Sequence, residues 1–319
     1  MTSPVTLADI QAAEQRIAGR VLRTPMMADP AFSGLCLKQE YRQTTGAFKL
    51  RGATNAVLSL TQQDLQRGVV TASTGNHGRA LAYAARAAGG RAVVCLSHLV
   101  PANKIQAIRD LGAEVRIIGQ SQDEAMVEVA RAVTEDGMIE VPPFDHPAVV
   151  AGQGTLGLEI LADIPIPAMV LIPLSGGGLA AGVATAIRAL SPQTRLIGLS
   201  MERGAAMHAS LRVGHPVEVT EEPTLADSLG GGIGLHNCLT FAACRSLLDE
   251  VILLTEAEIA AGMRHILAVT GDTVEGGGAV GVAAVLAGKV QVSGQTVAIV
   301  SGCNVALDLF AQVMAGEAV

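Results

Sequence analysis

The stretch Met169–Leu174 is an unbroken apolar run, and it ends in Ser175-Gly176-Gly177-Gly178 before a helical pattern over Leu179–Leu190. A strand without polar alternation has to be covered on both faces, which is the situation of a parallel sheet flanked by helices. Composition agrees with this. Half of the residues are hydrophobic while aromatics make up 2% and Trp is absent, so Ala, Val, Leu and Ile must build the core around 36 glycines.

Alternation of the same kind runs through the chain. The spacing predicts an amphipathic helix over Thr6–Arg20, opened by Thr6 and Asp9 as an acidic capping box. A strand is expected at Leu35–Lys38 and helices at Lys49–Leu60 and Asn76–Ala88. Strand, helix, strand and helix follow at Arg91–Ser97, Ala102–Leu111, Glu114–Ile118 and Asp123–Thr134, with Gly89-Gly90 and Gly112 as stops. A second block begins after Pro142-Pro143 and holds further strands at Arg195–Ser200 and Thr296–Val300. Such a chain is an α/β protein whose ligands sit at the carboxyl ends of its strands.

The net charge is −7 and the isoelectric point near 5.5. Without a basic run, nucleic acid is excluded as a partner. The mean hydropathy of +0.42 reflects a dense aliphatic core, since the weakly polar stretch Gly276–Gly288 is too short to span a bilayer. Met1–Arg20 carries Asp9 and Glu14 and lacks a continuous apolar segment, so no signal peptide is expected. Five scattered cysteines without a C-x-x-C pair argue against a disulfide framework and for a reducing cytoplasm.

Four loops carry chemistry. Thr44–Ala53 places Lys49 between Phe48 and Leu50 at a turn-to-helix transition. Desolvation there would favour the free amine that Schiff-base chemistry needs, and a surface lysine at a helix start is the alternative. Ser73-Thr74-Gly75-Asn76-His77-Gly78 offers hydroxyls, an amide and unpaired N–H groups for a carboxylate, or else a helix capped by Ser73 or Asn76. Gly176, Gly177 and Gly178 let the backbone approach a phosphate, or form a turn without ligand. Ser301-Gly302-Cys303-Asn304 closes the last strand, where a hydroxyl could meet a heterocycle's nitrogen.

In this order, T-G-A-F-K-L-R-G-A, S-T-G-N-H-G, S-G-G-G-L and S-G-C-N resemble the fold-type II pyridoxal-phosphate enzymes. The similarity is greatest to the serine/threonine dehydratase and serine racemase branch, and in Tyr41–Val57 and Thr71–Ala85 to bacterial dehydratases of hydroxyectoine utilisation. The resemblance implies two parallel-sheet domains of the tryptophan synthase β-like kind, with the cofactor in the cleft. Residues 1–44 and 147–319 would form the large one, and residues 45–146 a small mobile one. It implies that Lys49 carries pyridoxal 5′-phosphate and removes the substrate's α-proton, with Ser73 and Thr74 as catalytic hydroxyls beside it. Phe48 would pack along the ring and Asn76 would bond its 3′-oxygen. Gly176, Gly177, Gly178 and Leu179 would hold the phosphate, and Ser301 the pyridine nitrogen. Ser73, Thr74, Gly75, Asn76 and His77 would bind the substrate carboxylate.

The implied activity is conversion of a β-hydroxy-α-amino acid, such as threonine, serine, 3-hydroxyaspartate, phenylserine or a hydroxyectoine-derived amino acid, to a 2-oxo acid and ammonia. A homodimer is implied as well. Thr74 stands where racemases of the branch have a second serine, which leaves serine or aspartate racemisation as an alternative, with an inactive amino-acid-binding relative as another. The branch's divalent-cation site aligns with Glu202, Ala206 and His208. Its Asp is missing, so no metal is expected.

Overall fold

The computed structural model describes residues 4–73, 75–100, 102–120 and 122–317. Its strands are β1 (Met26–Ala28), β2 (Leu35–Gln39), β3 (Val69–Ala72), β4 (Ala92–Leu96), β5 (Glu114–Ile117), β6 (Ile139–Glu140), β7 (Met169–Pro173), β8 (Arg195–Met201), β9 (Glu250–Leu254) and β10 (Thr296–Val300). They form a six-stranded sheet in the order β1-β2-β10-β7-β8-β9 and a four-stranded sheet in the order β5-β4-β3-β6. All pairs are parallel except β1 with β2.

The helices are α1 (Leu7–Ile17), α2 (Lys49–Leu58), α3 (Gln62–Arg67), α4 (Asn76–Ala87), α5 (Ala102–Asp110), α6 (Gln122–Thr134), α7 (Pro147–Asp163), α8 (Gly178–Leu190), α9 (Ala206–Val213), α10 (Leu239–Leu247), α11 (Glu256–Thr270), α12 (Gly276–Leu286) and α13 (Leu307–Ala315). Among the described residues none is long and apolar enough to cross a membrane.

The unbroken apolar strands are explained by the layers. In β7, Leu171 joins the cluster under α11 and α12, while Val170 and Ile172 point the other way into the cluster under α7 and α8. In β10, Ala298 and Val300 alternate with Val297 and Ile299 in the same manner. Successive side chains leave a strand on opposite faces, and here both faces are core. The small sheet repeats the pattern, with Val94 and Leu96 on the α4 side and Val93 and Cys95 on the α6 side.

Glycines let α7 and α8 touch through their backbones. A Cβ on Gly182 would collide with the Val150 carbonyl oxygen and lie 2.5 Å from the Gly154 nitrogen, and one on Gly154 would lie 3.0 Å from the Gly182 oxygen. Backbone atoms in two buried helices cannot step aside. Gly182→Ala is therefore expected to cost about 2 kcal/mol despite alanine's better helix propensity, read as a lower melting temperature by circular dichroism. An unchanged or raised midpoint would contradict this close contact.

Several sequence expectations shift. The Thr6–Asp9 capping box is present, but its helix stops at Ile17. Strands β1, β3, β6 and β9, and helices α3, α7 and α9 to α13, lack a sequence expectation. The glycine-rich stretch from Gly276 is the buried helix α12, shielded by protein on every side.

Candidate active site

Three loops meet at the carboxyl ends of parallel strands: Ser73 onward after β3, Ser175 onward after β7, and Ser301 onward after β10. The Lys49 loop is stitched to the last of these. The Phe48 amide donates to the Ser301 carbonyl at 3.0 Å, the Cys303 amide donates to the Gly46 carbonyl at 2.9 Å, and Ala47 bridges Gly302. Gly46 turns there with φ +77°, and a Cβ on it would sit 2.8 Å from Asn304 Oδ1. Lys49 then opens α2.

Lys49 is half-buried, with its amine in a mixed apolar and carbonyl setting. Nζ donates to the Pro143 carbonyl at 2.7 Å and lies over the rings of Phe48 and Phe144, at 5.3 Å and 6.0 Å from their centroids. Burial pulls its pKa down to about 8, with the charge of Glu275 opposing. The other three lysines pair with acids: Lys38 with Glu159, Lys104 with Asp227 and Lys289 with Glu258. Among the described residues, Lys49 alone of the four has no carboxylate within ion-pair distance.

At the second loop, Thr74 lies outside the described residues. Gly75 is the N-cap of α4 and no side chain caps the helix, so neither Ser73 nor Asn76 serves as its cap. Asn76 is free for other work, and Nδ2 donates to Glu275 Oε1 at 2.8 Å. His77 is fully buried, with Nε2 facing the Val141 carbonyl at 2.8 Å. A carbonyl only accepts, so Nε2 carries the proton and Nδ1 is a lone-pair acceptor, which has no hydrogen-bond partner. Burial, with the Lys49 charge nearby, drives this imidazole to about 3, and it is neutral.

The triple glycine forms a cradle. Gly177, the N-cap of α8, has φ +87°, a left-handed backbone that glycine takes without strain. A Cβ on Gly176 would enter the Phe144 ring, and one on Gly177 would lie 2.9 Å from Met207 and 3.0 Å from Cys244. No side chain caps α8, so its first N–H groups remain available to an anion. Ser301 is buried, with Oγ donating to the Gly277 carbonyl at 3.3 Å. The lysine and the glycine cradle thus share Phe144 as a neighbour, the asparagine reaches the loop after β10 through Glu275, and Ser301 is bonded to Phe48 beside the lysine; these groups fit a phosphorylated heterocyclic aldehyde.

Glu202 follows β8, and Ala206 and His208 lie in α9. Among the described residues no three or more His, Cys, Asp or Glu side chains gather to hold a metal ion. Glu275, Asn304 and Phe144 line the site without any expectation from sequence. Asn304 belongs to the S-G-C-N loop, and Phe144 follows Pro142-Pro143, so each stood beside a recognised signal.

Residues 17–302 match the family described as "Pyridoxal-phosphate dependent enzyme". The chain belongs to this family, whose members depend on pyridoxal phosphate. It is 55% identical over 320 residues to a Sinorhizobium fredii protein provisionally named a threonine dehydratase, covering 98% of this chain and 96% of that one. It is 42% identical to the L-threonine ammonia-lyase of Geobacter sulfurreducens, covering 95% of this chain and 76% of that one. Among solved structures, maize serine racemase superposes with a TM-score of 0.91 at 31% identity, covering 98% of each chain. Processed threonine deaminase isoform 2 of Solanum lycopersicum gives 0.90 at 32%, covering 98% of this chain and 95% of that one.

Proposed function

We propose that the chain is an ammonia-lyase that converts a small β-hydroxy-α-amino acid of the threonine–serine type to a 2-oxo acid and ammonia. The observation that carries this reading is the state of Lys49, a desolvated amine beside the cradle with no carboxylate within ion-pair distance among the described residues. Pyridoxal phosphate, when bound, supplies the sink for the electrons of the broken Cα–H bond. The N–H groups opening α8 would hold its phosphate. Asn76 would donate to its ring oxygen, and Ser301 would face its ring nitrogen.

Lys49 would hold the cofactor and then take the α-proton, a role suited to an amine whose pKa lies near the working pH. Because the His77 ring is neutral, the substrate carboxylate would be met by backbone N–H groups at the start of α4. In this reading residues 45–146, which contain the whole four-stranded sheet, close on residues 1–44 and 147–319. Closure would exclude water until the β-hydroxyl has left.

The test is a screen of L- and D-threonine, L- and D-serine, 3-hydroxyaspartate, phenylserine and hydroxyectoine-derived amino acids for 2-oxo acid and ammonia in equal amounts. Release from L-threonine and L-serine is expected. No release from any of them by protein that shows a visible cofactor band would overturn the reading. The likeness to maize serine racemase motivates a chiral assay on the same mixtures, because racemisation returns the mirror amino acid without ammonia.

A further inference from the structure

Glu275 is an acid that the motifs leave out. It is the N-cap of α12, where a carboxylate would ordinarily accept from its own helix, yet it makes no such bond. Instead Oε1 accepts from Asn76 Nδ2 at 2.8 Å and Oε2 from the Asn304 amide at 3.0 Å. Its side chain is buried, and a buried acid without partners would be costly.

The same three residues form a closed set. Asn76 Oδ1 accepts from Asn304 Nδ2 at 2.5 Å, and Asn304 Nδ2 also donates to the Thr45 carbonyl at 3.0 Å. An ionised carboxylate only accepts. These bonds therefore decide which end of the Asn76 carboxamide points where: oxygen to Asn304, and one N–H to Glu275. One N–H of Asn76 is left over.

We propose that Glu275 is a positioning residue: from the large sheet it locks the Asn76 carboxamide, leaves its second N–H for the cofactor's ring oxygen, and sets a negative charge near Lys49. This rests on the reading of Asn76 as a cofactor ligand. Gly302 is shaped for it, since a Cβ there would lie 2.5 Å from Glu275 Oε1. The groups facing the carboxylate are Lys49 on α2, Asn76 on α4, Asp227 and Ser228 on the short turn 227–229, and Cys303 and Asn304 after β10. Burial pushes its pKa up to about 7, and hydrogen bonds from Ser228, Asn76 and Asn304 oppose that rise.

The experiment is a double-mutant cycle on cofactor affinity, read by the visible absorbance of the full-length enzyme during titration with pyridoxal phosphate. Glu275→Gln and Asn76→Ala are each expected to weaken binding about tenfold. The double variant should be within about twofold of the worse single one, because both remove the same donor geometry. Losses that multiply to about a hundredfold would overturn the proposal.

A second readout is the rate at which Lys49 is acylated in full-length protein stripped of cofactor. Removing the negative charge frees the amine, so Glu275→Gln should label several times faster at pH 7. An equal or slower rate overturns the charge role. If Glu275→Gln does not fold, Glu275→Asp replaces it: charge is kept and reach is lost, so labelling should stay near wild type while cofactor affinity falls. Unchanged affinity there would also overturn the proposal. Wild-type protein that binds cofactor but releases no 2-oxo acid would sink the lyase reading, while the coupling between Glu275 and Asn76 is measured independently of turnover.

Discussion

Lys49→Ala is expected to lower 2-oxo acid release by more than about 10⁴-fold, because one amine is both the cofactor's anchor and the base for the α-proton. Borohydride added to wild-type enzyme should leave the cofactor's mass on the Lys49 peptide. The competing lysines are committed elsewhere. Lys38 is wholly buried and ion-paired, and Lys104 and Lys289 face acids at the surface. Label recovered on any of these three would refute the assignment.

The buried amine also leaves a mark on stability. Folding lowers the Lys49 pKa from 10.5 to about 8, so the folded chain holds that proton less tightly than the unfolded chain. Below pH 8 both states carry it and the whole penalty applies. Between about pH 8 and 10.5 the unfolded state binds the extra proton, and stability rises with pH. Glu275 works in a separate window. Its pKa is raised from 4.5 to about 7, so its contribution falls as pH climbs through that range. Lys49→Met should therefore melt at a higher temperature than wild type at pH 7 in cofactor-free protein, and should lose the rise above pH 8. A lower melting temperature would mean that the amine is not desolvated.

Parts of this site were legible in sequence for a physical reason. Glycine turns after apolar strands are local signals, and each of the four loops lies within about ten consecutive residues. What was not legible is long-range. Glu275 and Asn76 are 199 residues apart, and Asn304 and Asn76 are 228 apart. Before a glycine run, Glu275 carries no local signal, and only folding shows which groups its carboxylate meets. The same limit applied to elements. β1 has three residues and β6 two, too few for any period, and they exist because a neighbouring strand offers free backbone groups. Helix α12 is apolar on all sides, so it has no stripe to detect.

Arg51→Met is expected to destabilise the protein by about 3–5 kcal/mol at pH 7.5, the cost of leaving buried charge without its partner. Arg51 lies two residues beyond Lys49, is 1% exposed, and ties the first turn of α2 to two other elements. Nε and Nη2 donate to Glu40 at 2.7 and 2.8 Å, and Nη1 and Nη2 to Glu159 of α7 at 2.7 and 2.9 Å. Lys38 adds a bond to Glu159 at 2.8 Å and lies 3.8 Å from Asp163, which Arg23 also pairs, so three cations face three carboxylates and the charges cancel. Burial raises the Glu159 pKa, but the charges and hydrogen bonds of Arg51 and Lys38 outweigh it and hold the group below 4.5. Its contribution is therefore present above pH 4.5 and lost as pH falls below that. Without Arg51, Glu159 loses the charge that holds its pKa down and can take up a proton, so the deficit of Arg51→Met should shrink between pH 7.5 and pH 5. Arg51→Lys keeps the charge but cannot bridge both acids with a planar fork, and should fall between the two. Urea unfolding at the two pH values measures all of this. A deficit that grows on acidification would mean that Arg51 does not hold Glu159 ionised, and that α2 is anchored by packing alone.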